Sequence, residues 1–464
     1  MGQMPKALAG FGAWGVLAAL SPSSAFAQCA DPTARIVRIA NEVEHKPTAS
    51  DTFVSATLDL DVCEGDTIRS GDRSRATIAF LDNGVILTIE QNTEWVVRPP
   101  EAPGRTWVDL IRGSILFFTR QPRSLDVRTP FVNAAVEGTE FLVRVEQDRA
   151  VITVFEGLVA LTNAEGTLAV ASNQSAVAVQ NQAPQLLVIV RPQDAVQWAL
   201  SYPPVFPRDS FQQLDQIPEA ARDARFYLRR GALLLGVGRL DEARTDIAEA
   251  SRLDPDDGDV EALGAVIAVA LNDPVQALQS GRQAVLRSPE SASARIALSY
   301  AFQASFDLEA ARDELLQAVT DNPDDAAAWA RLAELWLSLG EIDEAVAAAE
   351  RAATLAPDLP RTSTVLGFAA LARVDLAEAT AAFERSLALD SDNPLARLGL
   401  GLATIRAGDL ASGRREIEIA AALSPNDSNI RSYLGKAYFD ERRDGLPGEQ
   451  YARAKLLDPL DPTP

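Results

Sequence analysis

The sequence predicts a multidomain β + α chain, an all-β domain followed by an α-helical solenoid of about seven repeats. Two observations carry this. Pro255, Pro289, Pro323, Pro357, Pro425 and Pro459 stand on a 34-residue ladder whose one other rung is Ser391, in a chain with 27 prolines among 464 residues. Ahead of residue 190 the apolar period is 2 instead of 3.6, with Val, Ile, Thr and Phe in short runs between turn residues.

Residues 1–27 stand apart from both. Lys6 precedes an uncharged, mostly apolar run from Ala7 to Leu20, Ser21-Pro22 breaks it, and Ala25-Phe26-Ala27 is a small-x-small cleavage pattern. This is the build of a secretory signal peptide, and the run is short for a membrane span. Gln28 precedes Cys29 where a lipoprotein would need a small residue. No later stretch has the length and apolarity of a span, so after cleavage the chain is not expected to be an integral membrane protein. The expected location is periplasmic, or secreted and outer-membrane associated.

The cysteines are Cys29 and Cys63 alone. In an exported chain an even count predicts one disulfide. Closing a loop of about 35 residues would stabilise by about 3–4 kcal/mol in the chain-entropy picture. The formal net charge of −22 weighs against nucleic acid and anionic membrane as partners, because both need clustered basic residues.

The all-β domain is expected over 28–185. Strand-like runs are Ala76 to Leu81, Val85 to Glu90, Ser114 to Phe118, Thr139 to Glu146 and Val151 to Phe155. Asn83-Gly84 marks a hairpin. In Thr139 to Glu146, Phe141, Val143 and Val145 take one face and Glu140, Arg144 and Glu146 the other, which predicts one buried and one wet face. Sandwich, roll and β-helix-like stacks all remain open. Arg128 to Leu161 resembles the FecR domain through Thr129-Pro130, Glu137-Gly138-Thr139-Glu140-Phe141 and Thr153-Val154-Phe155-Glu156-Gly157. Gly71 to Arg75 and Asp82 to Val85 look like its first half. Gly138 is expected to be structural, at a bulge or close approach. The resemblance implies a module that meets envelope proteins or cell-wall material. The cytoplasmic anti-sigma region of the name-giving relatives is not expected, since no span follows the leader.

A connector is expected over 186–223. It combines a last strand from Leu186 to Val190, a short helix from Asp194 to Tyr202, and Trp198, Tyr202 and Phe206 among prolines. The aromatics are expected to dock the β domain on the first repeat.

From 224 to 464 the units start near 224, 258, 292, 326, 360, 394 and 428. Trp329, Leu332, Ala333 and Trp336 are helically spaced, Gly340 breaks the pattern, and Ala345, Ala349 and Ala352 are helically spaced again. Ala243, Ala277, Ala311, Ala345 and Ala379 share one phase with Gly413; Gly231, Gly367, Gly401 and Gly435 share another. The period and pattern resemble the tetratricopeptide repeat. In that family the first helices line a concave face. Carried over by position, this implies a partner groove of Tyr300, Gln303, Glu334, Leu337, Arg361, Phe368, Leu402 and Arg406, with Ile296, Leu371, Leu398 and Ile405. It is expected to be apolar in the centre and charged at the edges, suiting a hydrophobic peptide or helix, unless the array's own superhelix or the β domain covers it. The last unit, with Pro447-Gly448, is expected to be a worn cap.

Chemistry is sparse. His45 is the only histidine and is expected at the surface; no Gly-x-Ser-x-Gly elbow is present. Asp254 to Asp259 lacks the glycine and glutamate of a calcium loop and is expected to cap a helix, as are Asp321 to Asp325 and Asp390 to Asn393. Gly399-Leu-Gly401 falls inside a repeat helix, which excludes a dinucleotide loop. The expectation is a non-enzymatic adaptor or scaffold with no cofactor or metal. It would bind protein partners in the cell envelope, in signalling, secretion or receptor assembly. The alternative is a peptidoglycan- or polysaccharide-binding protein with the repeats as a spacer.

Overall fold

The computed structural model describes residues 31–99, 106–120, 122–187, 211–443 and 445–458. The expected signal peptide, Cys29 and the connector aromatics lie outside them.

The first half of the sheet comprises β1 (Ala34–Ala40), β2 (Val43–Lys46), β3 (Val54–Ser55), β4 (Asp61–Val62), β5 (Thr67–Ser70), β6 (Arg75–Phe80), β7 (Ile86–Ile89) and β8 (Glu94–Arg98). The second comprises β9 (Thr106–Phe118), β10 (Pro122–Arg128), β11 (Asn133–Val145), β12 (Arg149–Asn163), β13 (Gly166–Ala171), β14 (Gln174–Val179) and β15 (Gln185–Leu187). They form one continuous, mostly antiparallel network whose main path runs β15-β14-β12-β11-β10-β9-β7-β6-β1-β4. Its spine is the three long strands β9, β11 and β12. Each changes partner midway. β9 passes from β8 to β7, β11 from β10 to β9, and β12 from β14 to β13. A glycine with positive φ stands at every change: Gly113 (89°), Gly138 (59°) and Gly157 (84°). L-residues strain there. Gly138 has open space where a Cβ would go, whereas a Cβ on Gly157 would lie 2.5 Å from Thr139 Cγ2. Gly138 thus serves the backbone turn and Gly157 the close approach. One face packs Trp95, Phe117, Phe141, Ile78 and Leu87 into a single core, with Phe117 stacked on Phe141 at 4.8 Å.

His45 is not at the surface. It lies on β2, buried, with Nε2 2.8 Å from Asp66 Oδ2. The same carboxylate accepts from the backbone N–H groups of Thr48 and Cys63. Burial pushes the Asp66 carboxyl up, but these hydrogen bonds outweigh it and hold it below its ordinary value. The imidazole therefore closes a loop. Cys63 is not a free thiol.

After a short lead-in, α1 (Phe211–Asp215), helices follow in antiparallel pairs. The first helices of the pairs are α2 (Ala224–Gly236), α4 (Gly258–Ala270), α6 (Ala292–Ala304), α8 (Ala326–Leu339), α10 (Pro360–Ala372), α12 (Pro394–Arg406) and α14 (Ser428–Asp440). The second are α3 (Leu240–Leu253), α5 (Pro274–Arg287), α7 (Leu308–Asp321), α9 (Ile342–Leu355), α11 (Leu376–Leu389), α13 (Leu410–Leu423) and α15 (Leu446–Leu457). Asp223, Asp257, Ser291, Asp325, Asn393 and Asp427 cap the first helices through their side chains, each at the same place in its unit. Leu359 holds the remaining rung, and Pro360 begins that helix instead. The acidic turns are therefore helix caps. Gly399 and Gly401 both lie in α12: a Cβ on the first would meet the Phe383 ring at 2.1 Å, and on the second Gly413 O at 2.6 Å.

A further ladder marks the turn inside each unit. Gly238, Asn272, Phe306, Gly340, Val374, Gly408 and Arg442 all take positive φ, between 56° and 103°. Backbone geometry is thus the same in all seven units, although three of them lack the Gly or Asn that suits it.

The two domains pack against each other. Val37, Ile86 and Phe118 of the sheet share one hydrophobic cluster with Leu398, Ile419, Leu423, Ile430, Leu434 and Tyr438. Arg75 Nη2 lies 3.0 Å from Gly236 O in unit one and 3.2 Å from Asp392 Oδ2 at the end of unit five. One guanidinium thereby joins distant parts of the solenoid across the sheet. Arg38, fully buried, also pairs with Asp392. Arg73 bonds Asp215 at 3.1 Å, and Arg397 donates to the Val37 carbonyl at 3.1 Å.

Candidate groove and the domain clasp

The first helices of units three to seven bring together two sets of the expected groove residues, of different character. Tyr300 and Gln303 on α6, Glu334 on α8 and Arg361 on α10 form one hydrogen-bonded network. Arg361 donates from Nε and Nη2 to the two Glu334 carboxylate oxygens at 2.9 and 2.7 Å, and also to the Tyr300 hydroxyl. Arg331, absent from the positional reading, completes it. It is buried, stacks over the Tyr300 ring at 3.9 Å, and donates to Glu334 (2.9 Å), Ser299 Oγ (3.1 Å) and Gln303. Burial raises the Glu334 carboxyl, but the charges of Arg361 and Arg331 outweigh it and hold the group ionised below its ordinary range. Burial pushes the Tyr300 phenol up. The centre of the groove is therefore polar, not apolar as expected. One carboxylate between two guanidiniums leaves a positive balance there.

Toward the C-terminus the groove turns apolar. Phe368 and Leu371 on α10, Leu402 and Ile405 on α12, and Tyr433 and Ala437 on α14 line a pocket of about 430 Å³. Arg406, Lys436 and Asp440 stand at its rim, with Lys436 Nζ 3.5 Å from Asp440 Oδ2. Phe368 is fixed edge-on to Phe383 at 5.0 Å. Leu337 is half-buried and takes part in neither set. Leu398 is buried in the cluster shared with the sheet, so the β domain covers one end of the expected groove and leaves the pocket open.

The wet face expected for β11 is also partly covered. Glu140 is only 1% exposed and lies under α14 and α15. Arg431 Nη2 donates to it at 2.7 Å and Arg453 Nη2 at 3.3 Å, while Arg120 Nη2 lies 3.8 Å away. Arg120 also pairs with Glu156 at 2.5 Å, and Gln450 Nε2 donates to Glu156 at 3.0 Å. Burial raises the Glu156 carboxyl, but Arg120 leads the charges that bring it to about 2. Burial lowers Arg453 to about 10 despite Glu140. Alternation along the strand does put Glu140 opposite Phe141. What it cannot supply is the second layer, carried by Arg431 from the far end of the solenoid.

The family comparisons divide the chain at the same place. Residues 66–160 match the model of the FecR protein family. Tetratricopeptide-repeat models match 224–257, 296–360 and 365–428. The chain is a FecR domain joined to tetratricopeptide repeats. Such repeats are protein-interaction modules. No curated protein matches the chain.

Among solved structures, this FecR–repeat chain is similar to the Cut9–Hcn1 hetero-tetramer of the APC/C (17% identity, 51% of this chain and 47% of that one, TM-score 0.44). It therefore spans about half of that chain. It is also similar to a thermophilic tetratricopeptide-repeat protein of Thermus thermophilus (26% identity, 39% and 99%, TM-score 0.36). A third likeness is to pilF of Pseudomonas aeruginosa (17% identity, 46% and 97%, TM-score 0.35). No described helix is long and apolar enough to cross a membrane.

Proposed function

We propose that this chain is an exported, non-enzymatic interaction scaffold of the cell envelope, held together at its front by a Cys29–Cys63 disulfide. Its groove takes a peptide segment of a protein partner. The observation that carries the reading is the open apolar pocket of α10, α12 and α14 with Arg406 and Lys436 at its rim. An apolar side chain of the partner fills the pocket, and an adjacent carboxylate meets the rim. Specificity comes from that pairing, because a pocket alone discriminates poorly between apolar side chains.

The test is crosslinking in intact cells followed by affinity capture of a C-terminally tagged chain. Wild type is compared with an Arg406→Glu/Lys436→Glu variant whose circular dichroism is unchanged. One defined envelope protein, captured by wild type and lost from the variant, supports the proposal. Capture that ignores the two reversals removes the pocket as the site. Retention on purified peptidoglycan without any protein adduct would replace this reading with that of a wall-binding module.

A further inference from the structure

Helix α14 has two occupied faces. One carries Arg431, Leu434 and Tyr438 into the contact with the β domain. The other supplies Tyr433, Lys436 and Asp440 to the pocket. A terminal unit of a solenoid has a neighbouring unit on one side only, so its stability lacks one interface term. The last pair is also weakly built: α15 starts at Leu446-Pro447-Gly448 and buries only Gln450 and Ala454. Gln450 is one of the residues that reach the sheet, through Glu156. The β domain therefore covers part of the last unit while also reaching units one, five and six, and the final unit is no solvent-facing cap.

We propose that α14 couples the two domains: Glu140, by holding Arg431 and Arg453, fixes the pocket wall, and displacing the β domain from α14–α15 reshapes the pocket. The inference rests on the pocket being the binding site and assigns its regulation. Beside the shared apolar cluster the joint has this polar part, and the polar part makes it switchable. Glu140 and its guanidiniums are out of water, so either side is costly alone, and a competitor that supplies the missing charge exchanges for it. An envelope partner presenting arginines to Glu140 and Glu156 would release α14. By reciprocity, a peptide in the pocket would change the hold on the β domain by the same factor.

The test uses the full chain with Ala372→Cys and Asp440→Cys at the two lips of the pocket, each carrying a nitroxide. The inter-label distance distribution is measured by pulsed electron resonance, and amide exchange of residues 430–440 is followed in parallel. In the otherwise native chain the distribution is narrow. Glu140→Lys broadens it and speeds exchange of 430–440 by at least about ten-fold, with α8 unchanged. Arg453→Glu, at the margin of the clasp, gives the same change in smaller degree and serves if Glu140→Lys misfolds. Faster exchange with an unaltered distance distribution overturns the coupling. If neither readout changes in a folded variant, Glu140 does not hold α14, and the proposal is equally overturned. Both readouts need no ligand, so a failed capture experiment and a failed coupling are told apart.

Discussion

Replacing Val374 by glycine should stabilise the fifth unit. Val374 sits at φ 65° in the turn between α10 and α11 and is 67% exposed. The left-handed region costs an L-residue about 1–2 kcal/mol, and a β-branched side chain is among the worst placed. Glycine removes that cost but brings about 0.5–1 kcal/mol of extra freedom in the unfolded chain. Little burial is lost, so the net gain is about 0.5–1 kcal/mol, or roughly 2- to 5-fold fewer local openings. Repeat arrays need not unfold in one step, so the assay is native-state hydrogen exchange across 360–393, not a single melting temperature. The converse, Gly408→Val at the same position of the next unit, should lose about as much. A destabilised Val374→Gly chain together with a neutral Gly408→Val chain would refute the claim that one backbone geometry is imposed on all seven turns.

Other consequences follow from individual contacts. Gly399→Ala drives a methyl to within 2.1 Å of the Phe383 ring and should destabilise by about 1–3 kcal/mol in denaturant unfolding, with most of the loss recovered by adding Phe383→Leu. Asp325→Ala removes the cap that accepts from the Ala328 N–H at 2.8 Å and should cost about 1 kcal/mol, read as faster exchange in the first turn of α8. Burial and the facing Glu156 raise the Glu449 carboxyl from 4.5 to about 7, so its proton is bound more tightly in the folded chain than in the unfolded one. That contribution is complete below about pH 4.5 and lost as pH rises through about 7. Glu156, held at about 2, keeps its own contribution until far lower pH. Exchange at α15, corrected for intrinsic chemistry, should therefore accelerate between about pH 4.5 and 7 and level off above it. Glu449→Gln should flatten that rise, and an equally steep profile in the variant would contradict the assignment.

The units are legible in the sequence because tight packing repeats. Small residues at Ala243 to Ala379 and the proline ladder record where helices touch and turn, and both are local to the repeat period. The inner turn shows itself at Gly238, Asn272, Gly340 and Gly408, but Phe306, Val374 and Arg442 hide the same geometry behind unsuitable side chains. Contacts that cross the period are not legible. Glu140 alternates as a solvent-facing residue should and is covered by a layer from another domain. His45 reads as a loop residue because Asp66, which holds it buried, lies on a separate turn of the chain. In the groove, position within the repeat finds Tyr300, Glu334 and Arg361. It misses Arg331, one step outside the positions that face a partner in the family. It also gives no sense of the network's polarity, because hydrogen bonding between successive first helices is a property of side-chain geometry and not of spacing.

The most direct test of the groove places a photo-crosslinking amino acid at Lys436 inside the pocket rim, and in separate chains at Leu286 on the exposed side of a second helix and at Arg149 on the sheet. Irradiation in living cells should give one discrete adduct from position 436, none of that size from 286, and loss of the 436 adduct when Arg406→Glu is added. A discrete adduct from position 149 with none from 436 would contradict the account and move the partner to the FecR domain.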